Sequence, residues 1–232
     1  MRHTEVFLLS LVFALCHFIS PWAFTLKERA RRGTASFSGG LAAAYLCLHL
    51  LPEINKGSEL LGARIYFVLM IGFAIYYGIE ILIERNLLRQ DKLNAGLALN
   101  ASVSCAYSAL LVYTLSTQLP SNLALTAAFA LMMGMHLISG DFGLQERYAE
   151  RYIRLGRYGL VAAVLAGFAA TFLFEPREEI IDVLTAFLAG SMMFKIFRHE
   201  LPEFHEAHYG AFLGGMGIFL MVHVMLSPSE FL

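Results

Sequence analysis

Apolar residues along this chain gather into eight stretches, which are separated by short polar segments. Runs of roughly 18 or more apolar residues are typical of membrane-spanning segments. Backbone amides cannot go unpaired in lipid, and no stretch alternates as barrel strands do, so the stretches are predicted to be helices. The sequence therefore predicts an all-α polytopic membrane protein with eight transmembrane helices. They cover residues 6–24, 35–51, 65–83, 97–115, 123–140, 160–174, 182–197 and 209–225.

The composition agrees with a chain that lies almost entirely in the membrane. Hydrophobic residues make up 58% of the chain and charged residues 15%, whereas a soluble domain carries about 25% charged residues. Eight spans of about 20 residues use most of the 232 residues. We therefore expect a single transmembrane domain, residues 1–232, without a sizeable soluble domain.

Basic residues lie mostly on one predicted side of the membrane. Twelve of the 17 Lys and Arg residues fall in the loops after the first, third, fifth and seventh spans, and four fall on the opposite side. Because cytoplasmic loops carry the excess of Lys and Arg, both termini are expected outside the cytoplasm. The compact chain with short loops favours a bacterial inner membrane as its location.

The second and seventh spans end in similar sequences. Residues 37–53 read FSGGLAAAYLCLHLLPE, and residues 187–203 read FLAGSMMFKIFRHELPE. The matched positions are Phe37 and Phe187, Gly40 and Gly190, His49 and His199, Pro52 and Pro202, and Glu53 and Glu203. An odd number of crossings separates the two spans, so they are predicted to be antiparallel, as an inverted repeat requires. Repeat one covers about residues 6–84, the central helices about 94–143, and repeat two about 160–226, an organisation typical of carriers and channels.

Both span ends carry imidazole and carboxylate groups, which bind borderline divalent ions such as zinc, iron or manganese. His49 and Glu53 are predicted at the outer mouth. The proline three residues after each histidine leaves backbone carbonyls outside the helical ladder, as further oxygen ligands. The alternative is that these groups are ordinary helix ends and solvated side chains. The candidate ligands at the inner mouth are His199, Glu200, Glu203, His205 and His208.

At these residues the chain resembles the ZIP family of divalent-metal transporters. The second helix of that family typically ends in His-Leu-Leu-Pro-Glu, as residues 49–53 do here. Its seventh helix has a small Ala-Gly-Ser or Ala-Gly-Thr start and a Leu-Pro-Glu end, which residues 189–191 and 201–203 match. Residues 77–85 and the Gly-rich residues 210–217 are similar to its third and last helices. The resemblance implies eight helices in a 3+2+3 inverted arrangement, both termini outside, and transport of a divalent cation without ATP.

The resemblance also implies a two-metal centre, because the family carries His-Asn-x-x-Asp and His-Glu-x-Pro-His-Glu motifs on its fourth and fifth helices. Here Asn100 and Ser104 stand in place of the His and the acid of the fourth helix. His136 and Asp141 stand at the first His and the last Glu of the fifth. A dehydrated divalent ion needs carboxylate and imidazole ligands. We therefore expect this reduced set to hold a metal weakly, or to handle a proton instead.

A third option for the centre is Cu(I), which prefers thiolate and thioether ligands. Cys105, Met132, Met133 and Met135 are predicted at a similar depth to His136. Methionine is also common core filler, so these residues are equally compatible with packing. His17, in the first span, is interpreted as part of a helix kink rather than as a ligand.

The sequence therefore predicts a transporter whose substrate is a divalent transition-metal cation, with zinc as the first choice and iron or manganese next. His49 and Glu53 would capture the ion, the four central residues would hold it, and the inner-mouth residues would release it. Neither an organic cofactor nor a catalytic site is expected. The expected partners are the metal ion and the lipid bilayer, without nucleic acid, and homodimerisation is left open. The alternatives are a sensor or scaffold with a degenerate centre, a carrier of another ion such as the proton, and an intramembrane metal hydrolase.

Overall fold

Helices account for nearly all of the computed structural model, which describes residues 2–26, 28–87, 92–119, 123–174, 177–200 and 208–226. Within these ranges the chain forms nine α-helices and no strand. The predicted all-α class is therefore confirmed. The helices are α1 (Arg2–Phe24), α2 (Glu28–Tyr45), α3 (Leu51–Leu61), α4 (Arg64–Leu82), α5 (Leu93–Gln118), α6 (Leu123–Tyr148), α7 (Arg157–Leu173), α8 (Glu178–Lys195) and α9 (Tyr209–Leu226).

Seven helical segments among the described residues are long and apolar enough to cross a membrane. They are His3–Phe24, Ala30–Leu61, Arg64–Arg85, Leu93–Ser116, Thr126–Tyr148, Tyr152–Leu173 and Glu178–Arg198. A further apolar helix, Tyr209–Met225, is shorter. Many large apolar side chains lie on the outside of the bundle, among them Phe67, Leu131 and Phe172, each more than 60% exposed. Such a surface fits lipid rather than water, so the chain is an integral membrane protein, while the side on which its termini lie stays a prediction.

The described residues contain four π-helical turns, two of which lie at corresponding places in long helices. Leu46–Leu50 joins α2 to α3, and Ile196–Glu200 follows α8, 150 residues farther along the chain. In the first of these, the N–H of Leu51 donates to the carbonyl of Leu46, one residue farther than in an α-helix. Each of these two π turns therefore contains the histidine of one of the two matched sequences.

The helix of the second span does not end where its apolar stretch ends. It continues through Pro52, in the first turn of α3, as far as Leu61. Proline is tolerated there because its missing N–H falls at the start of a new hydrogen-bonding register, just after the π turn. The Pro-Glu sequence therefore marks a change of helix type rather than a helix end.

Close packing at Gly167 joins α7 to α5, and two further close pairs are α2 with α9 and α4 with α8. In both pairs the backbones touch at glycines, where an added Cβ would overlap a carbonyl oxygen of the neighbouring helix. Gly190 follows Gly40 by 150 residues, and Gly215 follows Gly72 by 143. A Cβ would overlap the carbonyl oxygen of Phe212 at Gly40, of Phe37 at Gly215, of Leu69 at Gly190 and of Phe187 at Gly72.

Substituting alanine at Gly40 or Gly190 is expected to destabilise the protein by about 1–3 kcal/mol, because the helices must separate to admit the methyl group. Thermal unfolding in detergent measures the effect. Gly217→Ala is the matched control, since a Cβ at Gly217 would meet nothing within 4 Å and alanine favours the helix. Equal losses at Gly40 and Gly217 would contradict the close crossing.

The remaining helices enclose a polar interior. α1 packs against both α6 and α7, α5 packs against α7, and α8 also reaches α5. The polar side chains that these helices turn inward form the candidate site.

Candidate functional site

A cavity of about 50 Å³ lies between α1, α4, α5, α6 and α8. This volume is enough for a small number of water molecules. Its lining combines carboxylates, cations, an imidazole, an amide and hydroxyls, a mixture that is costly inside a membrane and usually serves a function. The polar residues that line it are His17, Tyr76, Glu80, Asn100, Ser104, Ser108, Asp141, Arg147 and Lys195.

A hydrogen bond between His17 and Asp141 lies at the centre of this cavity. The Nδ1 atom of His17 is 2.9 Å from Oδ2 of Asp141, and the two side chains are 2% and 4% exposed. The other ring nitrogen, Nε2, is 3.3 Å from Oγ of Ser108. Because an ionised carboxylate only accepts hydrogen bonds, a neutral His17 carries its proton on Nδ1 and accepts the Ser108 hydroxyl at Nε2. The three side chains thus form one hydrogen-bonded chain across α5, α1 and α6.

The position of His17 is fixed by its own helix. The hydroxyl of Ser20 donates to the backbone carbonyl of His17 at 3.0 Å and lies 3.1 Å from the hydroxyl of Tyr152. Tyr152, which is fully buried, lies in the π turn Tyr152–Gly156 that precedes α7. This contact holds α1 against the start of α7, so the imidazole stays directed at α6.

Lys195 brings an ammonium group to the same cavity. Its Nζ lies 4.2 Å from the centre of the Tyr107 ring, a cation–π contact. A Cβ at Gly140, next to Asp141 in the chain, would lie 3.5 Å from this Nζ. The ammonium therefore lies against α6 at the residue before Asp141.

Four charged side chains close one end of the cavity, and we refer to them as the charge cluster: Glu80, Glu84, Arg147 and Arg198. Arg147 binds Glu80 through both terminal nitrogens and donates to Glu84 at 2.9 Å. Arg198 also reaches Glu84, at 3.4 Å. Glu80 is only 8% exposed, so its charge depends on the guanidinium beside it.

The structure brings together three of the four central residues predicted from the sequence. Asn100, Ser104 and Asp141 line the cavity. His136 is fully buried and lies outside the lining, with its Nε2 3.2 Å from the hydroxyl of Tyr107. Its expected place beside Asp141 is taken by His17, which the sequence analysis had interpreted as part of a kink.

The donors at this centre fit a divalent metal poorly. Among the described residues, no group of three or more His, Cys, Asp or Glu side chains could hold a metal ion. Of the softer donors considered for Cu(I), Met132 and Met133 are buried in the apolar core, and Met135 and Cys105 are partly buried against apolar clusters. Instead, the imidazole of His17 and the carboxylate of Asp141 are hydrogen-bonded to each other.

The residues predicted at the outer mouth have separate surroundings. His49 stacks on Tyr45, with ring centres 5.2 Å apart, and lines a small apolar pocket of about 30 Å³ together with His223. Glu53 accepts a hydrogen bond from Lys56 at 3.2 Å near the surface. Their role as a capture site stays a prediction.

Most of the residues predicted at the inner mouth lie outside the described side chains. Glu203 and His205 are not among the described residues, and His199 and Glu200 are described only as backbone of a π turn. His208 is described, and its backbone N–H donates to Oγ of Ser36 at 3.2 Å. The predicted release site therefore also stays a prediction.

His17 and Lys195 line the cavity, although neither is predicted there from the sequence, which does contain a signal for both. Each is an ionisable residue within an apolar stretch, and such residues usually face a bundle interior. The sequence does not show that α1 and α8 pack against α6. A comparison of the chain with known protein families finds no matching family, and a comparison with curated proteins finds no relative.

Proposed function

We propose that the chain is a membrane transporter whose central cavity carries a proton on the His17–Asp141 pair. The observation that supports it best is the buried hydrogen bond of 2.9 Å between these side chains, within a polar cavity. Histidine exchanges protons near neutral pH, and a carboxylate partner stabilises its protonated form. Ionisable pairs of this kind within a membrane are typical of proton relays.

The scaffold we propose is a ZIP-like inverted repeat. Two kinds of observation support it, and the second is independent of the His-x-x-Pro-Glu sequences. The π turns begin at Leu46 and Ile196, 150 residues apart. The glycine crossings of α2 with α9 also recur in α4 with α8, with the roles of the two repeats exchanged. A duplicated unit related by a two-fold axis in the membrane plane would produce both.

The balance of charge favours a proton over a divalent metal at the centre. The lining contains two cationic side chains, Lys195 and Arg147, beside the carboxylates of Glu80 and Asp141, so an added divalent ion would leave the cavity with an excess of positive charge. The neutral donors Asn100 and Ser104 compensate poorly for the lost hydration of such an ion. Zinc, iron and manganese stay the predicted substrates of the two mouths, so they belong in the test.

Catalysis is the weaker interpretation of the same contacts. Asp141, His17 and Ser108 follow the order of an acid, a base and a serine nucleophile. However, Ser108 is only 2% exposed, and the cavity of about 50 Å³ is too small for an acyl substrate. The hydrogen-bonded chain therefore favours proton transfer over attack on a substrate.

Purified protein in liposomes tests the proposal. With a pH-sensitive dye inside and a potassium diffusion potential that is negative inside, we expect acidification of the lumen at several times the rate of protein-free liposomes. A parallel set reports the uptake of zinc, iron and manganese with a metal-sensitive dye. Metal uptake would support the divalent-metal prediction instead, and folded protein that moves neither protons nor metals would overturn both.

A further inference from the structure

The charges that line the central cavity balance one another. With both carboxylates ionised and the lysine protonated, Asp141 and Glu80 supply two negative charges and Lys195 and Arg147 supply two positive charges, while His17 is neutral when its Nε2 accepts the Ser108 hydroxyl. An uncompensated charge buried at this depth would be costly. The cavity therefore accommodates an additional cation only if one of its own positive charges leaves.

Lys195 is the cavity cation that can give up its charge. Arg147 is held by Glu80 and Glu84 in the charge cluster, and a guanidinium does not lose its proton in proteins. An ammonium can lose its proton, and it then becomes a neutral amine. Loss of that proton would leave the lining with one net negative charge.

Resting on the proposed transport role of this cavity, we propose that the ammonium of Lys195 and a monovalent metal cation such as Na⁺ compete for the space beside Asp141. Binding of the cation releases the lysine proton, so the site exchanges one cation for one proton. Hydroxyl, amide and carboxylate oxygens of Ser104, Asn100 and Asp141 line the same cavity, and hard cations prefer oxygen ligands. A divalent ion would leave one positive charge in excess, so charge balance selects a monovalent ion.

Other titratable and charged groups on the packed helices set the conditions for this exchange. α1 contributes His17, α4 contributes Tyr76 and Glu80, and α6 contributes Arg147 next to Asp141. Tyr107 of α5 faces the ammonium directly and hydrogen-bonds to His136. Cys16 of α1 and Tyr152, before α7, also lie near Asp141, whereas Glu80 and Arg147 neutralise each other. We therefore assign the exchange to Lys195 beside the His17–Asp141 pair.

The test measures thermal stability in detergent while NaCl replaces N-methylglucamine chloride at constant ionic strength, between pH 6 and pH 9. Because one proton is released per cation bound, the apparent Kd of the wild type for Na⁺ falls about tenfold for each unit by which the pH rises. In Lys195→Met the response to Na⁺ is expected at every pH, with a Kd at least about tenfold lower than that of the wild type at pH 7. In Lys195→Arg, which keeps the charge, the response is expected to disappear throughout.

Lys56→Met is the matched control, because Lys56 also contacts a carboxylate, Glu53 at 3.2 Å, but at an exposed position. It should respond to Na⁺ as the wild type does. Adding Asp141→Asn to Lys195→Met should abolish the response to Na⁺. The inference is overturned if Lys195→Met behaves as the wild type, or if Lys195→Arg still responds to Na⁺. Because this experiment measures binding without a membrane, its outcome is independent of the liposome test of transport.

Discussion

Replacing Asp141 with asparagine is expected to stop proton movement through the protein. Asparagine has the same shape and still hydrogen-bonds to His17, so the fold should be retained. It cannot ionise, and therefore it no longer stabilises a protonated imidazole. We expect the rate of lumen acidification in liposomes to fall several-fold, to the rate of protein-free liposomes.

Two histidines provide the sharpest comparison for this result. His17→Gln removes the ring that contacts Asp141 and should reduce proton movement as strongly as the asparagine substitution. His136→Gln should leave most of it intact, because His136 contacts Tyr107 and lies outside the cavity lining. Loss with His136→Gln and retention with His17→Gln would favour the centre expected from the sequence over the one that the structure contains.

Removing Arg147 is expected to cause the largest loss of stability of any single substitution in the charge cluster. Arg147→Ala leaves Glu80, which is 8% exposed, as a buried carboxylate whose remaining guanidinium neighbour, Arg198, is 3.8 Å away and half exposed. Breaking a buried ion pair by removing one partner costs about 3–5 kcal/mol. The unfolding midpoint in detergent should fall accordingly, and Glu80→Gln combined with Arg147→Gln should restore most of it, because no charge is then left buried.

The control for this prediction is another Arg–Glu pair. Arg154 donates to Glu150 at 2.9 Å, and both side chains are more than 70% exposed. Arg154→Ala should therefore change stability little, as is usual for surface ion pairs. If both alanine variants lost the same stability, Arg147 would not hold the charge cluster together.

The positions of the membrane helices could be predicted from hydropathy alone. The stretch at residues 65–83 corresponds to α4 (Arg64–Leu82), and that at 209–225 to α9 (Tyr209–Leu226). Contact with lipid requires a long run of apolar residues, so the sequence records it directly. The helix around Pro52 was predicted less well, because its polar end continues beyond the apolar stretch.

The centre could be predicted only in part. Asn100, Ser104 and Asp141 were found because each is polar within an apolar stretch. The partner of Asp141 was not found, because His17 lies 124 residues away in the chain. Hydropathy shows that a side chain is polar but does not show which helix it faces, and two histidines at similar depth compete for the same role.

The π turn after Lys195 has a consequence for sequence length. A π turn holds one residue more than an α-turn, so the residues on its two sides differ by about 100° around the helix axis from a continuous α-helix. Deleting one residue from Ile196–Glu200 would leave the hydropathy profile almost unchanged, yet it would rotate the end of that helix relative to the ammonium. In an alignment of this chain with a related sequence, single-residue gaps should therefore cluster in such turns. Each such gap would mark a change in the rotation of the helix about its axis rather than a change in loop length.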